Sequence, residues 1–390
     1  MLLLVLFFVR SSSAAAAAPS WSDLSAALPS LSSPPAVVID TVHHVTPPEV
    51  EGIVLYRERN GWCPYSERAW LALELTGATY TTVLIDNIGG RPPWFSGTTP
   101  RLRWSDGTET GESMDIAREV DEKLGNGTLY AARDVKRVVA AFRDTFPRGT
   151  RPSSRSAFLF RGNGPVPRRE FERTLAATDE LIALRGGPFL CGPALSAADV
   201  AWAPFLERYD AQLPLLHPGL SSRSYPRLAA WFDAMDACPE YFARVKGDHR
   251  SWAKVLRQAG FGNAGIAPKV SLPETVDDPG DLAVWRAYAR GRNDVGTTPS
   301  REVATRLVRN RDAILRDAVR TGAVRDLEVA DDGLRRCVAY FLDDDAVDDP
   351  DNANAALVAR YLSDRVCVPR DMGAPPAAAL HALNAKLSSY

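Results

Sequence analysis

The chain has 390 residues, 45% of them apolar and 24% charged, with a formal net charge of −2. Such a length suggests two or three domain-sized units, each able to bury a core without disulfide or metal staples. The composition is that of a globular protein, and the near-neutral charge excludes a general pull toward nucleic acid or anionic membrane.

The first elements in the chain are compositional. Leu2 to Val9 is an apolar run of eight residues, whereas a bilayer span needs about 20. Ser11–Ser13, Ala14–Ala18 and Pro19 follow, with no acidic residue before Asp23. A short apolar region leading into small residues reads as a cleavable signal, and Ser/Ala richness without acids reads as a transit segment. A two-part plastid address combines both, so the chloroplast is the expected location. The secretory pathway, or the cytoplasm if Met1 is not the true start, are the alternatives. Residues 1–50 as a whole, rich in Ala, Ser and Pro, are expected to be targeting segment plus linker.

A compact unit is expected over residues 52–130. Ile53 to Tyr56 is β-prone, Gly61-Trp62 punctuates it, and Tyr65 to Thr76 favours a helix with Gly77 just past its end. Tyr80 to Ile85 reads as a second strand. Thr99 to Trp104, the turn Ser105-Asp106-Gly107 and Thr108 to Thr110 read as a hairpin, and Ser113 to Leu124 as a closing helix. The order β-α-β-loop-β-β-α predicts a small thioredoxin-like α/β layer.

Residues 131–258 are expected to be wholly helical. Phe171, Leu175, Leu181 and Ile182 recur at helical spacing, as do Leu228, Trp231, Phe232 and Met235. Arg148 to Pro167, basic and rich in Gly, Pro and Ser, reads as a mobile inter-helix loop. Gly260 to Pro279 marks a further boundary. Residues 280–390 then read as a mainly helical extension of unknown role, with patches at Leu307 to Val319 and Ala355 to Leu362. The acidic run Asp343 to Asp351 lacks the Gly and closing Glu of a calcium loop and reads as a solvated acidic loop.

Five cysteines, at 63, 191, 238, 337 and 367, are scattered and odd in number, which fits a reducing compartment better than a disulfide framework. No Cys or His pair has ligand spacing, so no metal site is expected. The chemistry concentrates at Trp62-Cys63-Pro64-Tyr65-Ser66, between strand and helix. There the thiol of Cys63 would sit at a helix N-terminus, whose free N–H groups and dipole favour an anion, and Pro64 suits the first helical position. This predicts a lowered thiol pKa. A buried inert cysteine is the plain alternative, and the flanking topology favours function. Ser66 stands where a dithiol enzyme has its second cysteine, so disulfide chemistry would run through an external thiol such as glutathione.

Over about residues 52–250 the sequence resembles the cysteine-type glutathione transferases: the omega and lambda classes and the dehydroascorbate reductases. Cys63-Pro64-Tyr65-Ser66-Glu67-Arg68 is similar to the family's Cys-Pro-aromatic-x-x-Arg, and Arg91-Pro92-Pro93-Trp94-Phe95 to its Lys-Pro-x-Trp-Phe. Thr99-Pro100 is similar to its Val-Pro, Glu112-Ser113 to its Glu-Ser, and Ser196-Ala197-Ala198-Asp199 to its Ser/Thr-x-x-Asp box, with Trp202 to Arg208 continuing the likeness. The resemblance implies a thioredoxin-like layer followed by an all-α glutathione transferase C-terminal domain, with glutathione as co-substrate and Cys63 as nucleophile. Pro100 would be cis, and Thr99 would offer its backbone to the cysteinyl part of glutathione. Glu112 would pair the α-amine, and Ser113 at a helix start would hold the adjacent carboxylate. Arg91 would bind the glycyl carboxylate or simply be a solvated loop arginine.

Ser196 and Asp199 read as a structural cap. Trp202 and Tyr209 either line a second-substrate pocket or belong to the core. Ser96 to Thr99 is shorter than the family's connection, so the second helix of the layer is expected to be trimmed. The added C-terminal region is reminiscent of extended members called the iota class. The resemblance implies a thiol transferase or reductase acting on a disulfide or small electrophilic partner, and a homodimer. A glutathione-conjugating transferase and a non-catalytic binding or scaffold protein are the alternatives.

Overall fold

The computed structural model describes residues 17–28, 38–41, 44–87, 89–147, 159–161, 164–258, 269–273, 277–343 and 353–388. The Leu2–Val9 run and residues 344–351 of the acidic run lie outside them.

A five-stranded mixed sheet opens the fold. Its strands are β1 (Val38–Asp40), β2 (Val54–Glu58), β3 (Thr81–Ile85), β4 (Arg101–Arg103) and β5 (Glu109–Thr110), in the spatial order β1-β3-β2-β4-β5. β1, β3 and β2 run parallel, while β4 is antiparallel to both β2 and β5. β2 is buried along its whole length, as its central place demands, and its last two residues there are the charged Arg57 and Glu58. Helix α2 (Pro64–Thr76) starts on a proline and stops at Gly77, whose φ of 65° is the left-handed conformation that ends a helix at little cost for glycine. Helix α3 (Ser113–Leu124) closes the layer. The described residues between β3 and β4 form no helix, where a trimmed second helix was expected.

The helical half contains α4 (Val135–Thr145), α5 (Arg168–Ala183), α6 (Ala197–Leu216), α7 (Pro226–Asp236), a π-turn at Tyr241–Val245 and α8 (His249–Arg257). α6 is buried on nearly every side and shares one continuous apolar core with α2, α3 and the sheet. Trp202 and Tyr209 belong to that core, packed against Phe146, with no exposed edge that could line a pocket. One expectation needs correction: the stretch read as a mobile loop contains a small ladder, Phe160–Arg161 against Gly164–Pro165, because Leu159, Phe160 and Val166 are buried in the same core.

The C-terminal region contains α9 (Leu282–Ala289), α10 (Pro299–Arg309), α11 (Arg311–Arg320), α12 (Leu327–Leu342), α13 (Ala353–Arg365) and α14 (Ala374–Leu387). It builds a second core of its own. The expected N-terminal linker also needs correction. Its residues Trp21–Ala26 form a helix, α1, whose Leu24 enters that second core, and β1 adds an edge strand beside β3. The Trp21 indole donates to Asp331 Oδ1 at 2.7 Å, and Arg335 donates to the carbonyls of Ala18 and Pro19. A cut after Ala18 would remove at least one carbonyl that Arg335 binds. Mass spectrometry of the mature chain is expected to find an N-terminus at or before Ala18, and an N-terminus after it would refute this.

Candidate functional site

The sheet topology brings the expected site residues to one end. β2 runs toward Cys63. β4 starts beside the end of β2, with Tyr56 paired to Arg101, and β5 ends at the start of β4, with Leu102 paired to Thr110. The loop bearing Cys63, the peptide Thr99–Pro100 and the N-terminus of α3 at Glu112–Ser113 therefore share an edge. The Thr99–Pro100 bond is cis.

Cys63 is the residue immediately before α2, with extended backbone, and only 4% of it is exposed. Its loop is clamped by Glu58, a buried carboxylate that sequence reasoning missed. Oε1 of Glu58 accepts from the backbone N–H and side-chain amide of Asn60, each at 2.9 Å, and Oε2 accepts from the Trp62 N–H at 2.8 Å. The carbonyl of Trp62 accepts from Arg208 at 3.3 Å. An acid ending a fully buried strand was the available signal, since buried carboxylates are held by hydrogen bonds.

The expected lowering of the thiol pKa is not what the structure shows. Burial pushes the Cys63 thiol up. The backbone N–H and hydroxyl of Ser66 pull the other way, the Glu58 carboxylate adds to the rise, and the Tyr65 N–H opposes it. Desolvation of a charge outweighs a helix N-terminus when no water reaches the sulfur. Positive charge is nonetheless close. The Arg68 guanidinium lies over the rings of Phe142 (4.4 Å), Phe205 (5.1 Å) and Tyr65 (5.2 Å), and its Nε donates to the Ala201 carbonyl. Its Nη2 is buried with no hydrogen-bond partner among the described residues, and the charges of Tyr65 and Cys63 act on the guanidinium.

In the free protein, alkylation of Cys63 by a neutral reagent is therefore expected to be slow at pH 7. It should still be rising with pH where an ordinary thiol, with a pKa of about 8.5, is levelling off. A rate already at its plateau near pH 7 would contradict this.

Tyr65 is half-buried, and burial raises its phenol pKa. The charges of Arg68, Cys63, Arg143 and Glu112 all act on it. Arg143, from α4, is a second residue that sequence reasoning missed, and its place beside α2 depends on how the two halves pack. Glu112 is exposed and caps nothing with its side chain, while Ser113 is buried as the first residue of α3. Arg91 is exposed. Its Nε donates to Asn87 Oδ1 at 2.8 Å, and Asn87 Nδ2 donates to Thr99 Oγ1 at 2.8 Å, so it is linked through Asn87 to the residue before the cis-proline. Arg91 also donates to the Gly97 carbonyl.

Among known proteins, residues 62–123 match the glutathione S-transferase N-terminal domain and residues 168–234 the glutathione S-transferase C-terminal domain. The chain is 26% identical over 205 residues to glutathione S-transferase L3 of Arabidopsis thaliana, spanning 50% of this chain and 83% of that protein. It is 29% identical over 178 residues to a probable glutathione S-transferase DHAR1, cytosolic, of Oryza sativa subsp. japonica, spanning 43% of this chain and 76% of that one. Among solved structures, glutathione transferase Omega 1C from Trametes versicolor aligns at 20% identity with a TM-score of 0.43, over 55% of this chain and 98% of that chain.

Proposed function

From a chain that carries both domains of a glutathione S-transferase, a family whose co-substrate is glutathione, we propose a glutathione-dependent thiol transferase or reductase that uses the single nucleophile Cys63. The observation that carries this reading is the placing of Cys63 at the start of α2, with Ser66 rather than a second thiol one turn on. Cys63 thiolate attacks the glutathionyl sulfur of a mixed disulfide. The Cys63–glutathione bond forms, the substrate's S–S bond breaks, and the substrate leaves as a thiolate that takes up a proton. A second glutathione thiolate attacks the same glutathionyl sulfur, releasing glutathione disulfide and restoring the Cys63 thiolate. The N–H groups of Tyr65 and Ser66 and the Arg68 cation stabilise that thiolate each time it forms.

Glutathione lies along the shared sheet edge in this reading. Its cysteinyl backbone pairs with Thr99 beside cis-Pro100, and its α-amine meets Glu112. Its γ-glutamyl carboxylate meets Ser113 and the first N–H groups of α3. Arg91, already linked through Asn87 to Thr99, takes the glycyl carboxylate. The composition of the first residues supports import into the chloroplast. No described helix is long and apolar enough to cross a membrane.

The burial of Cys63 favours one second reading. A thiol held neutral can donate a hydrogen bond to bound glutathione and support conjugation instead of exchange. Glutathione-dependent reduction of a small mixed disulfide by the purified protein and by Cys63→Ser separates the two. Exchange should be robust in the first and fall to the uncatalysed level in the second. Absence of exchange in both, with conjugation to an electrophile gained or retained in Cys63→Ser, would replace the first reading by the second.

A further inference from the structure

Trp62, the residue before the nucleophile, has three polar groups, and each is held. Its N–H is bound by Glu58 and its C=O by Arg208, both from the glutathione transferase half. Its indole N–H is bound by Cys367 Sγ, at 3.1 Å, from the C-terminal region 305 positions away. Cys367 is a free thiol in a small apolar cluster with Trp62, Ala211, Trp252 and Val255. The turn that bears it continues along the same loop. Pro369 lies against Gly61, where a Cβ would stand 3.4 Å from its Cγ, and Gly61 has a φ of 73°.

The turn is itself fastened to α8. The Val368 N–H donates to Ser251 Oγ at 2.8 Å, and Lys254 Nζ donates to the carbonyls of Val366 and Ser363. Farther along, Gly373 meets the backbone of Ala243 so closely that no side chain could be placed there. The contact with the nucleophile loop is thus the tip of a docked region.

We propose that the Cys367–Arg370 turn is a positioning element for the Cys63 loop, so that the C-terminal region completes the active site by fixing the Trp62 indole and with it the direction of the next residue's thiol. The proposal rests on the reading of Cys63 as nucleophile, but its primary test needs no glutathione chemistry. A neutral alkylating reagent is applied to the full chain, and labelling at Cys63 is followed by mass spectrometry.

Cys367→Ala leaves a buried indole N–H without its acceptor and opens space beside the ring. It is expected to speed Cys63 labelling several-fold by loosening the loop. Glutathione-dependent turnover should fall on the order of tenfold, within the ~10²-fold that a 1 Å misplacement of reacting groups costs. A general loss of stability would speed labelling of the buried Cys337 as well, whereas loss of positioning confines the rise to Cys63. Cys367→Ser, whose hydroxyl accepts the same N–H, is expected to restore both labelling rate and turnover. Trp62→Phe breaks the hydrogen bond from the other side and carries the same expectation if Cys367→Ala yields too little folded protein. Cys63 labelling within twofold of the parent in both Cys367→Ala and Trp62→Phe would overturn the proposal. If the parent shows no turnover at all, the enzymatic reading fails while the labelling result still decides the positioning role.

Discussion

Replacing Asp199 by Ala is expected to cost the protein about 4–5 kcal/mol of stability, at the upper end of what one substitution does. The carboxylate is fully buried at the start of α6. It accepts from the Ser196 N–H and hydroxyl, each at 2.8 Å, from the Leu190 N–H at 2.9 Å and from the Trp231 indole at 2.8 Å. The side chain read from the sequence as a local cap therefore also ties the loop before α6 and the helix α7 to one point. A buried donor left without its acceptor costs about 1–3 kcal/mol, and four clustered donors are not additive. Asp199→Asn keeps one acceptor and should lose less. Urea denaturation of the three proteins checks this, and a loss under about 1 kcal/mol for Ala would show the cap to be only local, as isolated caps are worth roughly that.

The second large effect is expected at Arg208. Its guanidinium is buried with two carboxylates, Glu67 Oε2 at 2.7 Å and Glu207 Oε1 at 3.1 Å, and lies 3.9 Å from the centre of the Trp252 ring. It also donates to the carbonyls of Trp62 and Pro204. Arg208→Met removes the cation and leaves both acids buried, a loss of about 3–5 kcal/mol at neutral pH. Burial pushes both carboxyls up, with the Glu67 charge adding to the rise at Glu207, and the Arg208 charge opposes it at both.

In the variant both folded-state pKa values rise further above their unfolded values. The acids bind protons on folding already in the parent, so both proteins lose stability as pH rises past the unfolded glutamate value of about 4.3, and the variant goes on losing it after the parent has levelled off. The gap between parent and variant should therefore be wider at pH 8 than at pH 5. Equal gaps at the two pH values would mean that packing on Trp252, not charge, accounts for the loss.

Both residues lie in stretches where the sequence carried local information and the fold added more. Pro64 and Gly77 bound α2 because a proline at the first helical position and a glycine just past the last turn are favoured by backbone sterics alone. The box Ser196-x-x-Asp199 marks the start of α6 for a similar reason, its partners being three residues apart. Alternation and turn residues likewise place the β4–β5 hairpin. The cis bond before Pro100 was implied by the family resemblance and not by the dipeptide itself, and the structure has it; Glu112–Ser113 stands at the start of α3 as the reading of that helix required.

What the sequence by itself determined was the order of elements over residues 53–124, the ends of α2 and the place of Cys63 before that helix, since each depends on neighbours within a turn or two. The state of that cysteine was decided elsewhere. Helix N-termini favour an anion, but whether water reaches the sulfur depends on everything packed around it, and burial reversed the expected shift. The clamp by Glu58, the approach of Arg143 to Tyr65 and the joining of Trp62 to Cys367 across 305 positions are likewise contacts that no local pattern encodes. So is the packing of α1, read as linker, on α12, from Trp21 to Asp331 across 310 positions. Local propensity is a sum over near neighbours, whereas desolvation and long-range hydrogen bonds exist only once distant segments meet, and at this site the tertiary structure decided both.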